Sequence, residues 1–178
     1  MIVVIGSPSG RHEKTRIVAD GLAAGIAIEA ARAGRRVEIV GRIGDDEAAD
    51  AVLQDLARSA VGHVAMLRDQ ARPTPVDGAT DAAPTPGAPA IPEVEGADVD
   101  LALRYLTDFQ VIVLVEPIAA SVAEVVARAS EWAQATLVVA GSMEAAGART
   151  VPRHDAETPA DYVARVAGIA VVLDAPAA

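Results

Sequence analysis

Residues 37–46, VEIVGRIGDD, join an apolar run to two glycines and an acidic pair. Glycines let the backbone turn tightly and approach a small molecule. A carboxylate at the opening of the next helix has two uses: it caps the helix, or it faces a polar ligand. On local physics the cap is the simpler account of Asp45 or Asp46, with ligand contact as the alternative. Other stretches carry weaker chemistry. Residues 6–15, GSPSGRHEKT, contain Gly, Lys and Thr after an apolar run, but Arg11-His12-Glu13 separates Gly10 from Lys14. A phosphate loop needs that glycine and lysine adjacent, and the spaced glycines of a dinucleotide turn are missing too. His12, His63 and His154 stand far apart without ligand-spaced neighbours, so no metal site is expected. Ser142, in AGSM, lacks the flanking glycines of a nucleophile elbow. The absence of cysteine excludes disulfides, thiolate metal sites and Cys nucleophiles.

The elements that must position these residues follow from apolar periodicity. Residues 2–5 form a β-branched strand, followed by a Gly-Ser-Pro loop at 6–10 and a polar stretch at 11–16. An Ala-rich helix is predicted over 17–33 with Gly34 closing it. Gly21 and Gly25 fall inside that helix, where each costs about 1 kcal/mol relative to Ala, which points to close packing or ligand approach. A strand at 37–40 precedes the turn at 41–46. A helix at 47–59 carries its apolar residues on one stripe, and a short strand follows at 63–67. From 71 to 97 the chain turns rich in Pro, Ala, Gly and Asp; prolines there rule out a continuing helix or a central strand. A connection of that length is commonly functional or linker-like. Beyond it the pattern predicts a helix at 99–106, a strand at 111–115 (VIVLV) and a helix at 121–133. A strand at 136–140, a helix at 159–166 and a last strand at 169–173 complete the series. Strand and helix alternate, so the expected fold is one α/β domain with a mostly parallel sheet covered on both faces.

Composition agrees. The 178 residues are 52% hydrophobic and only 2% aromatic, which suits a core of Val, Ile, Leu and Ala. The formal charge of −10 repels phosphate backbones and anionic lipid, so neither nucleic acid nor membrane is an expected partner. No signal-peptide pattern and no membrane-length apolar run is seen, and a cytoplasmic location is the expectation.

Over residues 20–61 the chain resembles the N-terminal part of the PfkB/ribokinase family of sugar and nucleoside kinases. Ala27-Ile28-Glu29-Ala30-Ala31-Arg32-Ala33-Gly34 follows the family's A-x-x-x-A-R-x-G helix. Gly41, Gly44 and Asp46 fall on its G-x-x-G-x-D positions. Gly21 and Gly25 align with the glycine-rich segment before the helix. Arg72-Pro73-Thr74 resembles the start of the strand beside the sugar, and residues 111–117, VIVLVEP, resemble a strand that ends in a Glu-containing turn. The resemblance spans about two-thirds of the chain. It implies a three-layer α/β/α, ribokinase-like fold, shortened at the C-terminus, with Gly21, Gly25, Gly41, Gly44, Asp46, Thr74 and Glu116 as substrate-binding candidates. Ligands in such sheets bind at the carboxyl ends of strands, which places residues 6–10, 41–46, 116–117 and 141–142 along one edge.

The sequence also departs from the family. Gly25 stands at the sugar-binding Asn position and Ala49 at the last glycine of the second motif. The strands of the family's lid are expected to be absent or replaced by the Pro-rich stretch. No Gly-Ala-Gly-Asp occurs anywhere, and in the family that motif supplies the anion-binding helix N-terminus and the catalytic base. Phosphoryl transfer relies on positioning and charge neutralisation, an anion hole relies on amides at a helix N-terminus, and the reacting hydroxyl needs a base. The expectation is a degenerate sugar-kinase-like protein without phosphotransferase activity, catalytic residue, metal or cofactor, which binds a small sugar-like ligand or acts through protein contacts. The alternative is a divergent carbohydrate kinase acting on a sugar or nucleoside with ATP and Mg, completed by a partner subunit. A purely structural or regulatory module is the third. Many family members pair through their lids, so a homodimer is a further expectation.

Overall fold

The computed structural model describes residues 1–77 and 92–175. Chain order runs through β1 (Ile2–Ile5), β2 (Ser9–Glu13), β3 (Arg16–Asp20), α1 (Gly21–Arg32), β4 (Val37–Gly44), α2 (Glu47–Arg58) and β5 (Val61–Asp69). It continues with α3 (Gly96–Tyr105), β6 (Val111–Val115), α4 (Ala120–Ala133), β7 (Thr136–Ala140), β8 (Arg149–Val151) and α5 (Pro159–Leu173).

Six strands make one sheet in the order β5-β4-β1-β6-β7-β8, and every pairing within it is parallel. The central strands β1 and β6 are buried along their whole length, as continuous β-branched runs demand when helices cover both faces. One face packs α1, α2 and α5 over Ile2, Val4, Ile39 and Val113. The other packs α3 and α4 over Val3, Ile5, Ile112 and Leu114. The three-layer architecture is therefore present. Fully burying each of these side chains contributes about 1.5–3 kcal/mol, so the core rests on alternate residues of the same strands facing opposite layers.

Three expectations are corrected. Residues 17–20 are not helical: β3 pairs antiparallel with β2, His12 opposite Ile17, and α1 starts only at Gly21. The β-branched Ile17 and Val18 suit a strand, and the turn between the strands uses Lys14 in the left-handed region at φ 58°. This two-stranded sheet gives the carboxyl edge a β element where absent lid strands were expected. Within the Pro-rich stretch, Val76 bridges Gly10, α3 starts at Gly96, and the central residues 78–91 lie outside the described ones. Finally, 169–173 continue α5 rather than forming a strand. The buried stripe Tyr162, Val166 and Ala170 keeps helical period through Gly168, with no turn signal to interrupt it. The short β8 was not anticipated; its three residues carry no periodicity to read.

Candidate functional site

From β1 the chain builds outward through β4 to β5, then crosses back and builds the other way through β6, β7 and β8. The strand order thus reverses between β1 and β6. At such a point the loops leave the sheet in opposite directions and open a crevice at the carboxyl ends. Here that crevice is a cleft of about 340 Å³. Its floor is Gly6 and Ser7 after β1 and residues 115–119 after β6; its walls are the first turn of α1, Pro75 and residues 92–94.

Each wall has a local cause. Gly21 opens α1 at φ +83°, a conformation that favours glycine, and a Cβ there would lie 2.9 Å from Ser9 Oγ. Asp20 occupies the N-cap position, yet its side chain makes no cap bond. Among the described residues no side chain caps the first-turn amides, and the turn that carries them lines the cleft. Ser7 Oγ donates to Pro92 O at 3.1 Å and accepts from Arg42 N at 3.3 Å, which ties the chain entering α3 to the cleft floor. Arg42 reinforces this tie with ion pairs to Asp98 (2.7 Å) and Glu95 (2.9 Å). Across the cleft, Glu116 accepts from Ser142 N at 2.8 Å and Met143 N at 2.7 Å, holding the loop after β7. Each of its oxygens keeps a further lone pair for a ligand hydroxyl. Among the described residues, Glu93 and Glu116 are the charged groups that line the cleft.

The sequence candidates divide. Gly21 and Glu116 line this cleft. Gly41 lies beneath it: a Cβ there would sit 2.5 Å from Gly6 O, so the residue allows β4 to run close under the turn after β1. Gly25 faces away, with its Cα against Val163 of α5. Gly44, Asp46 and Thr74 form a separate knot. Asp46 Oδ1 accepts from Ala49 N (2.8 Å) and Thr74 Oγ1 (2.7 Å), Oδ2 accepts from Thr74 N (2.8 Å), and Gly44 N donates to Thr74 Oγ1 at 3.1 Å. Burial pushes the Asp46 carboxyl up, but the bonds from Thr74 and Ala49 outweigh it and hold it below its ordinary value. The knot places Thr74, and with it the neighbouring wall residue Pro75. Ser7 lies in the 6–10 segment expected at this edge, but its clasp on Pro92 and the wall at residues 92–94 depend on chain crossings that no local pattern encodes. The α1 terminus was hidden by the helix drawn through 17–20.

His12 pairs with Asp77 at 2.5 Å, which fastens β2 to the chain beyond Pro75. No group of three or more His, Cys, Asp or Glu suited to a metal ion occurs among the described residues. None of the described helices is long and apolar enough to cross a membrane.

Neither a protein-family model nor a curated protein matches the chain. Solved structures do. The PfkB protein from Polaromonas sp. JS666 superposes with a TM-score of 0.61 at 16% identity, covering 80% of this chain and 56% of that one. Fructokinase with bound ATP from Xylella fastidiosa gives 0.59 at 16% identity, over 91% of this chain and 56% of that one. Arabidopsis thaliana ribokinase complexed with ribose and ATP gives 0.57 at 20% identity, over 78% and 52%. The fold is ribokinase-like, and the chain spans about half the length of these sugar kinases.

Proposed function

We propose that the protein is a sugar-kinase-like binding protein whose cleft between β1 and β6 takes a small neutral sugar or polyol, without transferring phosphate. The cleft itself carries this reading. It lies at the reversal of strand order, has a volume within the range of small-ligand sites, and offers the two kinds of partner that hydroxyl groups need. The first turn of α1 supplies donors, and the Glu116 carboxylate supplies an acceptor. Among the described residues the cleft is lined by two carboxylates and no cationic side chain, which disfavours phosphorylated or nucleotide ligands there.

The test is a thermal-shift panel of sugars, polyols, nucleosides and ATP with Mg. A ligand that binds only the folded state raises apparent stability by about 2.7 kcal/mol at a hundred times its Kd. A neutral sugar or polyol is expected to raise Tm, and Glu116→Gln is expected to weaken that increment while costing only about 1 kcal/mol of stability. Silence across the panel, or ATP-dependent phosphorylation of a member of it, overturns the proposal.

A second reading is a divergent carbohydrate kinase completed by a partner subunit. The fold shared with solved structures that hold ATP favours it. Under it, Gly21, Gly41, Gly44, Asp46, Thr74 and Glu116 belong to a sugar half-site, and ATP and Mg bind on the partner. Turnover that appears only on adding a second protein would select it.

A further inference from the structure

The chain holds one Trp, two Tyr and one Phe; Trp132 and Tyr105 are exposed at the end of the sheet opposite the cleft, with the buried Phe109 beneath them. A groove of about 710 Å³ runs between α3 and α4, near the amino ends of β6 and β7. Leu103, Leu106, Phe109, Val125 and Trp132 line it. Trp132 is 85% exposed, and Tyr105, between the groove-lining Arg104 and Leu106, is 79% exposed. Leu101, one turn before Tyr105 on α3, is exposed as well. Large exposed aromatics beside an apolar groove are what a protein interface core uses, because they bury much area at low entropic cost.

The charges on the same rim say what fits. Arg128 of α4 and Asp108 of the α3–β6 turn both line the groove and both are exposed. Neither has an ion-pair partner among the described residues; the neighbouring Arg104 is already paired with Asp100 at 2.7 Å. A free cation and a free anion on one patch complement each other when the patch meets its own copy about a two-fold axis, where residue i meets j and j meets i.

We propose that this groove is the interface of a homodimer, in which Trp132 packs into the facing groove and Arg128 pairs with Asp108 of the partner subunit. The cleft stays open in such a dimer, at the opposite edge of the sheet, so this interface stands independently of any ligand.

Trp132, the sole tryptophan, makes the test direct. Sedimentation and tryptophan emission are followed together across a concentration series of the full chain. The mass is expected to rise from 18.1 kDa toward twice that value, with a blue shift of emission as Trp132 leaves water. Arg128→Asp or Asp108→Arg alone is expected to weaken dimerisation at least about tenfold, and the two together to restore it. Trp132→Ala is expected to yield monomer with an unchanged circular-dichroism spectrum, since the residue is exposed. A single-chain mass with unshifted emission at every concentration overturns the proposal. So does a dimer indifferent to Trp132→Ala and to both charge reversals, because it must use another face. Failure of the double reversal to restore association overturns the Arg128–Asp108 pairing.

Discussion

Two clusters stand at the same edge of the sheet and differ in what they leave free. Around Asp46 every strong partner is spoken for: both carboxylate oxygens accept hydrogen bonds from Thr74, and one also caps α2. Around the start of α1 no side chain among the described residues caps the first-turn amides, and Glu116 faces a cleft. The first cluster matches a ligand-binding pattern in sequence, yet its chemistry is consumed in holding the chain. The second has little pattern, yet presents donors and acceptor to open space. Residue type at the right spacing marks a place in the fold; only unspent hydrogen-bonding capacity marks a place for a ligand.

The contrast breaks first at Gly41, on the strand that runs from under the cleft to the Asp46 cluster. Gly41→Val pushes a side chain onto the Gly6 backbone, where no rotamer relieves it. A loss of about 3 kcal/mol or more is expected from urea denaturation. Wild-type stability in this variant would mean that the floor of the cleft is not built by this close approach.

Asp46→Ala tests the closed cluster more gently. It removes a helix cap, worth about 1 kcal/mol, and leaves the Thr74 amide without its acceptor, which costs about 1–3 kcal/mol. The expected outcome is a stability loss of roughly 2–4 kcal/mol with any ligand-induced rise in Tm retained. Loss of the ligand response at preserved stability would turn Asp46 back into a ligand contact and reverse the comparison.

The smallest effect is acid dependence. Asp46 is held below 3.8, so its contribution is full above that value and is lost as the pH falls through the lowered one. Glu157 gives a reference outside both clusters. Hydrogen bonds from Arg165, outweighing desolvation, bring it down from 4.5 to about 2. Its stabilising contribution is therefore complete above about pH 4.5 and disappears on the way to pH 2. Asp46→Asn and Glu157→Gln should each flatten the fall of stability with acid in their own window, as measured by urea titrations at stepped pH. A pH profile unchanged by Asp46→Asn would show that its bonds do not depend on the charge.

Much of this was legible without coordinates. Residues 2–5, 37–40, 111–115 and 136–140 read as buried parallel strands because β-branched runs have no other stable environment between two helical layers. Carboxyl-end turns at 6–8 and 116–117 followed from the rule for open parallel sheets, whereas Ser9 and Gly10, expected in the first loop, belong to β2. A helix cap at Asp45 or Asp46 followed from the acidic pair's position before an amphipathic stripe; the structure assigns it to Asp46. Residues 17–20 and 169–173 did not follow, since short apolar stretches fit either period and neighbours decide between them: β2 in one case, the continuing face of α5 in the other.

The sequence by itself determined the layer architecture, the acidic balance and the absence of the expected anion-binding motif, because each depends on composition or local pattern. Tertiary structure alone decided which glycines serve packing and which serve the cleft. It also decided that Thr74 closes over Asp46 from 28 residues away, and that Ser7 clasps Pro92 across 85. Those contacts depend on where the chain crosses itself, and no periodicity along the chain carries that information.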